Sequence, residues 1–327
     1  HSKIQYKKAK LKALLRLNET ELKVLGLEFS DLPTGEVYKN PTHAFSQDID
    51  IFGKHSFFQY LNRTALKEGE ENLASKLTSN SINDIELKQA SIKELAEKVE
   101  LRQHFTADAI LVDTETKANS IVRWITAYQR FVPKVMTWLP KVFSVLSLAA
   151  ILGYFFNVLS GAQLLLWFLI GLGITGFFLK RINELSSHVS QAQSTFQQYF
   201  KLLKFIEDAE FNSSLLQSFQ SKIHSDSAKA SQILKVLSKH IDGLDQRNNI
   251  LLGIVLNGFM LRDLTQSLKI ENWIAQNATQ VDSWFKVIAE IDAYNSLANF
   301  QFNHPNYVFP IIKDSGCFTK TEGAVHP

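Results

Sequence analysis

A mainly α-helical protein is the fold class that this sequence predicts: a multi-helix core, two long antiparallel helices and a hydrophobic helical hairpin at their tip. Three observations predict it. The run from Val142 to Leu179 contains no charged residue and no histidine. Apolar residues recur at helical spacing immediately after this run, and helical patterns continue with few interruptions from Lys54 almost to the end of the chain.

The uncharged run has the length of two helices folded back on each other. An arm of about 18 residues, rising about 1.5 Å per residue, comes close to the ~30 Å hydrocarbon thickness of a bilayer. The turn is predicted at residues 157–161. Basic residues flank both outer ends: Lys134 and Lys141 before the run, Lys180 and Arg181 after it.

The hairpin is therefore predicted to span a membrane with both ends on the cytoplasmic face, because positive charge favours that side. Three aromatic residues are candidate anchors at the interfaces: Trp138, Tyr154 and Trp167. The alternative is a hairpin buried inside a large soluble helical domain, which is also apolar on all sides.

The segment after the hairpin carries an apolar seam with alternating spacings of three and four residues, which is typical of a long helix paired with another helix. Its members are Ile182, Leu185, Val189, Ala192, Phe196, Tyr199, Leu203 and Ile206. The partner is predicted to be the incoming helix, which begins with a cap at Asp113 or Thr114 and ends at Pro133. Together they are expected to form a lever that carries the hairpin.

The predicted organisation has seven segments. Residues 1–47 form an N-terminal basic helix and connecting loop, 48–112 the first part of the core, 113–141 the outgoing lever helix, 142–179 the hairpin, 180–208 the returning lever helix, 209–303 the second part of the core, and 304–327 a linker. The basic stretch Lys3–Arg16 suits anionic lipid or phosphate, or is a solvated helix face. The apolar run Ile250–Leu261 is too short for a membrane span and predicts a buried core helix.

Composition and motifs predict no catalytic, cofactor-binding or metal residue in this chain. The 35 basic and 32 acidic residues nearly balance, and the single cysteine, Cys317, excludes an intrachain disulfide and fits a reducing compartment. Gly171–Gly176 matches GxGxxG but lies in the uncharged run, where close helix packing explains it better than a dinucleotide. Gly53-Lys54 lacks the rest of a phosphate loop. Asp48 and Asp50 alternate with Ile49 and Ile51 as in a strand, and no other metal ligands lie near them in the sequence.

Several short segments, taken together in their order along the chain, are informative as a set. They are Asp48–Gly53 (DIDIFG), Ser56–Thr64 (SFFQYLNRT), Gly69 with Asn72–Ala74, Ile85–Gln89, Leu244–Asn249, Glu290–Ala298 (EIDAYNSLA) and Glu322–Pro327. As a set they resemble the core and lever region of the MutS family of DNA mismatch repair ATPases. Lys88 stands where an arginine is usual in the family.

This resemblance implies a nucleotide-binding domain after Pro327 in the parent protein, where ATP and Mg would bind, and none of that site in this fragment. It implies DNA as a partner, a homodimer in the full-length protein, and movement transmitted through the lever to its tip. Two departures stand out. The hairpin occupies the position of the family's DNA clamp, and Phe205-Ile206-Glu207 has the spelling of the mismatch-reading motif but lies on the seamed helix.

Three functions follow as expectations. The first is a DNA-handling ATPase module of repair or recombination type at the cytoplasmic face of the cell membrane, with the hairpin as membrane contact. The second is a membrane-anchored MutS-like scaffold ATPase that does not act on DNA. The third, a stand-alone enzyme, has no converging site residues to support it.

Overall fold

The computed structural model describes residues 2–112, 118–224, 229–312 and 321. The protein is mainly α-helical, and no strand occurs within these ranges. The chain divides into two compact units. The first comprises residues 1–112, 201–227 and 283–327, and the second comprises residues 113–200 and 228–282. The helix start predicted at Asp113 or Thr114, Cys317 and the segment Glu322–Pro327 lie outside the described residues.

Helices provide nearly all of the regular structure. The first unit contains α1 (Ser2–Leu25), α2 (Phe57–Leu61), α3 (Lys67–Thr78), α4 (Ile85–Glu97), α5 (Val99–Ile110) and α10 (Ser214–Ile223). The second contains α6 (Ala118–Thr126), α7 (Leu139–Phe155), α8 (Gly161–Phe177), α11 (Ala230–Asp245) and α12 (Ile250–Met260). The two long helices α9 (Leu179–Asp208) and α13 (Arg262–Asn303) contribute residues to both units. Short 3-10 turns lie at Glu36–Tyr38, Lys134–Thr137 and Gln246–Asn248.

The uncharged run folds as the hairpin pattern predicts, into two helices with a turn between them. The turn is made at Asn157, whose φ of 57° is left-handed. Ser160 then begins α8 with a reciprocal cap, because its hydroxyl accepts from the Gln163 N–H while the Gln163 side chain accepts from the Ser160 N–H. Both arms have 17 residues.

The returning helix α9 buries its whole predicted seam. All eight residues, from Ile182 to Ile206, are at most 2% exposed. Within the second unit α9 has more than one partner. The Trp124 ring of α6 stacks on His188, the Ser190 hydroxyl donates to Asp245 of α11, and Phe196 meets Trp273 of α13 edge to face. The incoming helix is thus one of several elements against which the second-unit part of the seam packs.

The incoming helix is shorter than its pattern predicts, because a buried carboxylate takes over its backbone donors. Helix α6 ends at Thr126, whereas the apolar spacing continues to Val132. The Phe131 N–H donates to Glu271 Oε1 at 2.8 Å, and the Tyr128 hydroxyl donates to the same oxygen at 3.0 Å. Burial raises the pKa of Glu271 above its ordinary value. Residues 128–132 are therefore held by α13 and not by a further turn of helix.

Removing the Glu271 carboxylate is expected to destabilise the second unit. Glu271→Ala leaves the partly buried Phe131 N–H and the buried Val132 N–H without this acceptor, which costs about 1–3 kcal/mol of the free energy of unfolding. Glu271→Gln keeps an acceptor oxygen and should lose less than half as much. Thermal unfolding of both variants in the same detergent measures the difference, and equal losses would contradict this account of why α6 stops.

The strand predicted at Asp48–Ile51 is wrong, because these residues form consecutive turns. Asp50 has a φ of 47°, which an extended strand does not allow, and the Ile51 N–H donates back to the Ser46 carbonyl at 3.0 Å. Ile51 is buried and Ile49 is exposed. Ile51 joins the apolar core of the first unit, whose buried members are Ile51, Phe52, Phe58, Leu61, Leu73, Ala74 and Ala293.

Candidate functional site

Three of the segments that carry the MutS resemblance, Ser56–Thr64, Gly69 with Asn72–Ala74 and Glu290–Ala298, lie together in the first unit around a buried carboxylate. Asp292 of α13 is fully buried, and its oxygens accept the backbone N–H groups of Ala65 at 3.0 Å and Leu66 at 2.9 Å. These donors precede the first turn of α3, where no intrahelical acceptor is available. Gly69 lies against Asp292 so closely that a Cβ added at Gly69 would overlap the Asp292 side chain. Gly69, the start of α3 and Asp292, which is distant in sequence, therefore pack together.

A hydroxyl one turn further along α13 makes a second connection to the same region. Ser296 is buried; its Oγ donates to the Leu61 carbonyl oxygen at 2.9 Å and accepts from the Arg63 N–H at 2.9 Å. Arg63 in turn pairs with Glu21 of α1. Gln59 ties down the preceding loop, donating to the Ser30 and Leu32 carbonyl oxygens and accepting from the His55 N–H. These contacts join α1, α2, α3 and α13.

Burial raises the pKa of Asp292 to about 7, with a smaller contribution from the nearby charge of Glu68. An unfolded aspartate has a pKa of about 3.9. Between these values the folded protein holds a proton that the unfolded chain releases, so this group's contribution to stability falls as pH rises from about 4 through about 7. Above about pH 7 the contribution of Asp292 to the free energy of unfolding no longer changes with pH.

Asp292→Asn is expected to remove this pH dependence, because the amide keeps an acceptor oxygen and does not ionise. The wild-type protein should lose stability relative to the variant between pH 5 and pH 8 by roughly 1 kcal/mol or more, since one pKa unit corresponds to about 1.4 kcal/mol. Denaturant midpoints at both pH values measure it. Parallel pH profiles for the two proteins would show that Asp292 does not titrate in this way.

A groove lined by lysines lies beside this junction, also within the first unit. Its volume is about 410 Å³. Four lysines and two carboxylates line it: Lys76, Lys88, Lys222 and Lys286, with Asp84 and Glu290. Lys76 pairs with Glu290 at 2.7 Å and lies over the Tyr294 ring at 4.8 Å. The excess of cations makes this groove a candidate for contacting phosphate groups.

The motifs weighed in the sequence do not assemble into a catalytic centre. No group of three or more histidine, cysteine, aspartate or glutamate side chains that could hold a metal ion occurs among the described residues. Gly53 and Lys54 lie in a turn, not between a strand and a helix. Phe205-Ile206-Glu207 lies inside α9, where Ile206 and Glu207 are buried.

The GxGxxG segment lies in α8, and one of its glycines makes a close helix contact. A Cβ at Gly171 would overlap the carbonyl oxygen of Gly258 in α12, and a Cβ at Gly258 would overlap the Phe168 ring. Gly173 and Gly176 have nothing within 4 Å of an added Cβ. Close packing through small residues is therefore present at Gly171, but its partner is α12 and not the other arm of the hairpin.

The second unit exposes a large apolar surface built from α7, α8 and α12. Between them the two hairpin arms expose Val145, Leu148, Phe155, Leu165, Leu166 and Phe177. The prediction of a buried core helix at Ile250–Leu261 is wrong, because one face of α12 is open to solvent. The sequence of Ile250–Leu261 does not predict this exposed face, because an apolar composition fits burial in protein and burial in lipid equally well.

Two of the three candidate interface aromatics are available at the surface. Trp138 is 53% exposed and Tyr154 is 44% exposed. Trp167 instead joins the two arms, because its Nε1–H donates to Ser147 Oγ at 2.8 Å and its ring stacks on Phe143. Trp167 therefore stabilises the hairpin itself.

Within the described residues no single helix has both the length and the apolar character of a membrane span, while α8 with α9, bent by 61° at their junction, meets both criteria as a pair. Comparison with protein-family models, with curated proteins and with solved structures finds no match to this chain.

Proposed function

We propose that this chain is the core and lever module of a MutS-like ATPase of DNA mismatch repair or recombination type, attached to a membrane by α7 and α8. The observation that carries the proposal is the junction at Asp292. Three of the segments singled out for their resemblance, the outermost more than 200 residues apart in sequence, lie together there: Ser296 donates to the Leu61 carbonyl, and Phe58, Leu73 and Ala293 share one apolar cluster. This packing supports a common structural origin for these three segments.

The mechanism is mechanical. In the full-length protein, a homodimer by resemblance, a nucleotide-binding domain beyond Pro327 would use ATP and Mg. The two helices α9 and α13 each contribute residues to both units, so they are the elements able to transmit movement. Asp292 connects α13 to α3, and Glu271 connects the same helix to the segment that leads into the hairpin.

The membrane part of the proposal rests on the exposed apolar surface of α7 and α8 and on the basic residues at their outer ends. A contiguous apolar surface of this kind marks a site of interaction. The positive-inside rule favours the cytoplasmic side for both ends of the hairpin, which carry Lys134, Lys141, Lys180 and Arg181. The module is therefore proposed to act at the cytoplasmic face of the cell membrane.

DNA binding by the chain is tested by fluorescence anisotropy in detergent with labelled homoduplex, mismatched and branched DNA. Binding should weaken steeply between about 50 and about 200 mM salt, because each phosphate contact adds about −0.9 to the slope of log K against log salt. Lys88→Glu with Lys222→Glu in the lysine groove should reduce that slope by about 2. Lys235→Glu, an exposed lysine of the second unit, is the control for charge reversal.

The alternative function is a membrane-anchored MutS-like scaffold ATPase that does not act on DNA. The apolar surface in the second unit favours it, since the family's DNA clamp would occupy that position. Nucleotide hydrolysis by the longer parent protein separates the two functions. Hydrolysis stimulated by DNA supports the first, and hydrolysis indifferent to every DNA, together with no binding by this chain, supports the second.

A further inference from the structure

The outer face of α12 is a stripe of large aliphatic side chains. Ile250 and Leu251 are 73% and 78% exposed, and Ile254 and Val255 follow one turn later at 43% and 50%. The opposite face is made of small or polar residues, Gly253, Asn257 and Gly258, and is buried. The helix is therefore held by its small side and presents its hydrophobic side outward, the reverse of a helix folded onto a soluble core.

The small side of α12 is packed tightly on the hairpin. Gly258 and Gly171 bring the two backbones together, and the rings of Phe259 and Phe168 lie 5.1 Å apart. The helix is closed at its far end by Leu261, whose left-handed φ of 49° reverses the chain, and by Asn257, whose Oδ1 accepts the Asp263 N–H at 2.9 Å. Helix α12 is thus a fixed third member of the hairpin.

Charged residues flank the uncharged helix α12 on both sides, as they flank the hairpin. No charged residue occurs from Ile250 to Met260, and Arg247 and Arg262 flank the helix. Arg247 lies 3.6 Å from Asp263, and Arg262 donates to Gln246. Lys134, Lys141, Lys180 and Arg181 give the apolar helices flanking cations that match the anionic headgroups of a bilayer. Arg247 is instead only 17% exposed and is held by Asp263.

We propose that α12 enters the lipid beside α7 and α8, so that the protein contacts the membrane through a three-helix layer. At about 1.5 Å per residue, its 11 residues extend about 16 Å, roughly one leaflet of a ~30 Å hydrocarbon core. It is therefore too short to cross the bilayer. The occupant of its outer face is hydrocarbon, and α12 lies along the membrane plane within one leaflet, with both of its ends near the headgroups. This inference rests on the membrane attachment in the proposed function.

The test places the environment-sensitive fluorophore NBD on single cysteines of the full chain. Cys317→Ser removes the native thiol, and the label is attached through Leu251→Cys on α12, Leu166→Cys in the middle of α8 or Ile82→Cys in the first unit. All three positions are at least 61% exposed. The proteins are incorporated into vesicles of equal parts phosphatidylcholine and phosphatidylglycerol, with and without doxyl quenchers on the acyl chains.

Labels at 251 and 166 should both lose fluorescence to the lipid quenchers, while the label at 82 keeps it. Quenching at 166 without quenching at 251 would overturn the inference and leave the hairpin attachment standing. Quenching at neither position would overturn the membrane attachment as well. A label at 251 that shifts to the blue as protein concentration rises, without lipid quenching, would show that a second copy of the chain covers this face, and the inference would be wrong.

Discussion

Replacing Asp292 with alanine is expected to lower the free energy of unfolding by about 2–4 kcal/mol. The buried N–H of Leu66 and the partly buried N–H of Ala65 would lose their only described acceptor, and an unsatisfied buried donor costs about 1–3 kcal/mol. The start of α3 would then be free to separate from α13. Denaturant unfolding followed by circular dichroism measures the loss.

A matched control lies two residues away on the same helix. Glu290→Ala also removes a carboxylate, but its pair with Lys76 is partly solvent-exposed and such pairs contribute about 0–1 kcal/mol. If Glu290→Ala destabilises the protein as much as Asp292→Ala, the loss is a general effect of removing charge from α13. The junction at Asp292 would then lose its special role in the proposed function.

The second large effect is expected at Gly171, where alanine should force α12 away from α8. A new Cβ would overlap the Gly258 carbonyl oxygen, and this atom belongs to the backbone, so it cannot turn aside as a side chain can. Overpacking of this kind costs about 1–3 kcal/mol, and more when neither partner yields. We expect a lower melting temperature in detergent and faster proteolysis near α12.

Gly173 supplies the control for this substitution, since it lies in the same helix and matches the same motif. Nothing lies within 4 Å of a Cβ added there, so Gly173→Ala should be neutral or should stabilise α8 by about 0.5–1 kcal/mol through reduced backbone freedom. A similar loss at both glycines would mean that the contact with Gly258 is not what makes Gly171 important.

Helices α6 and α12 both differ from what their sequence patterns predict, and the cause is the same in each. At α6 the apolar spacing continues through Val132, but the backbone donors there are taken by Glu271, which lies 139 or more residues later in the chain. At α12 the composition is that of a core helix, but its small residues face the protein and its large ones face outward. In both places a partner distant in sequence decides the outcome.

Local chemistry was sufficient for the helical class, the hairpin and the seam of α9. A long run without charge indicates apolar helices with a turn where Asn157 and Gly161 interrupt it, and a spacing of three and four residues places all eight seam residues on one face. The turn at Asp48–Ile51, the cap supplied by Asp292 and the clamp supplied by Glu271 required the folded chain. Each depends on hydrogen bonds or backbone reversals that gain their free energy only when distant segments are brought together and shielded from water.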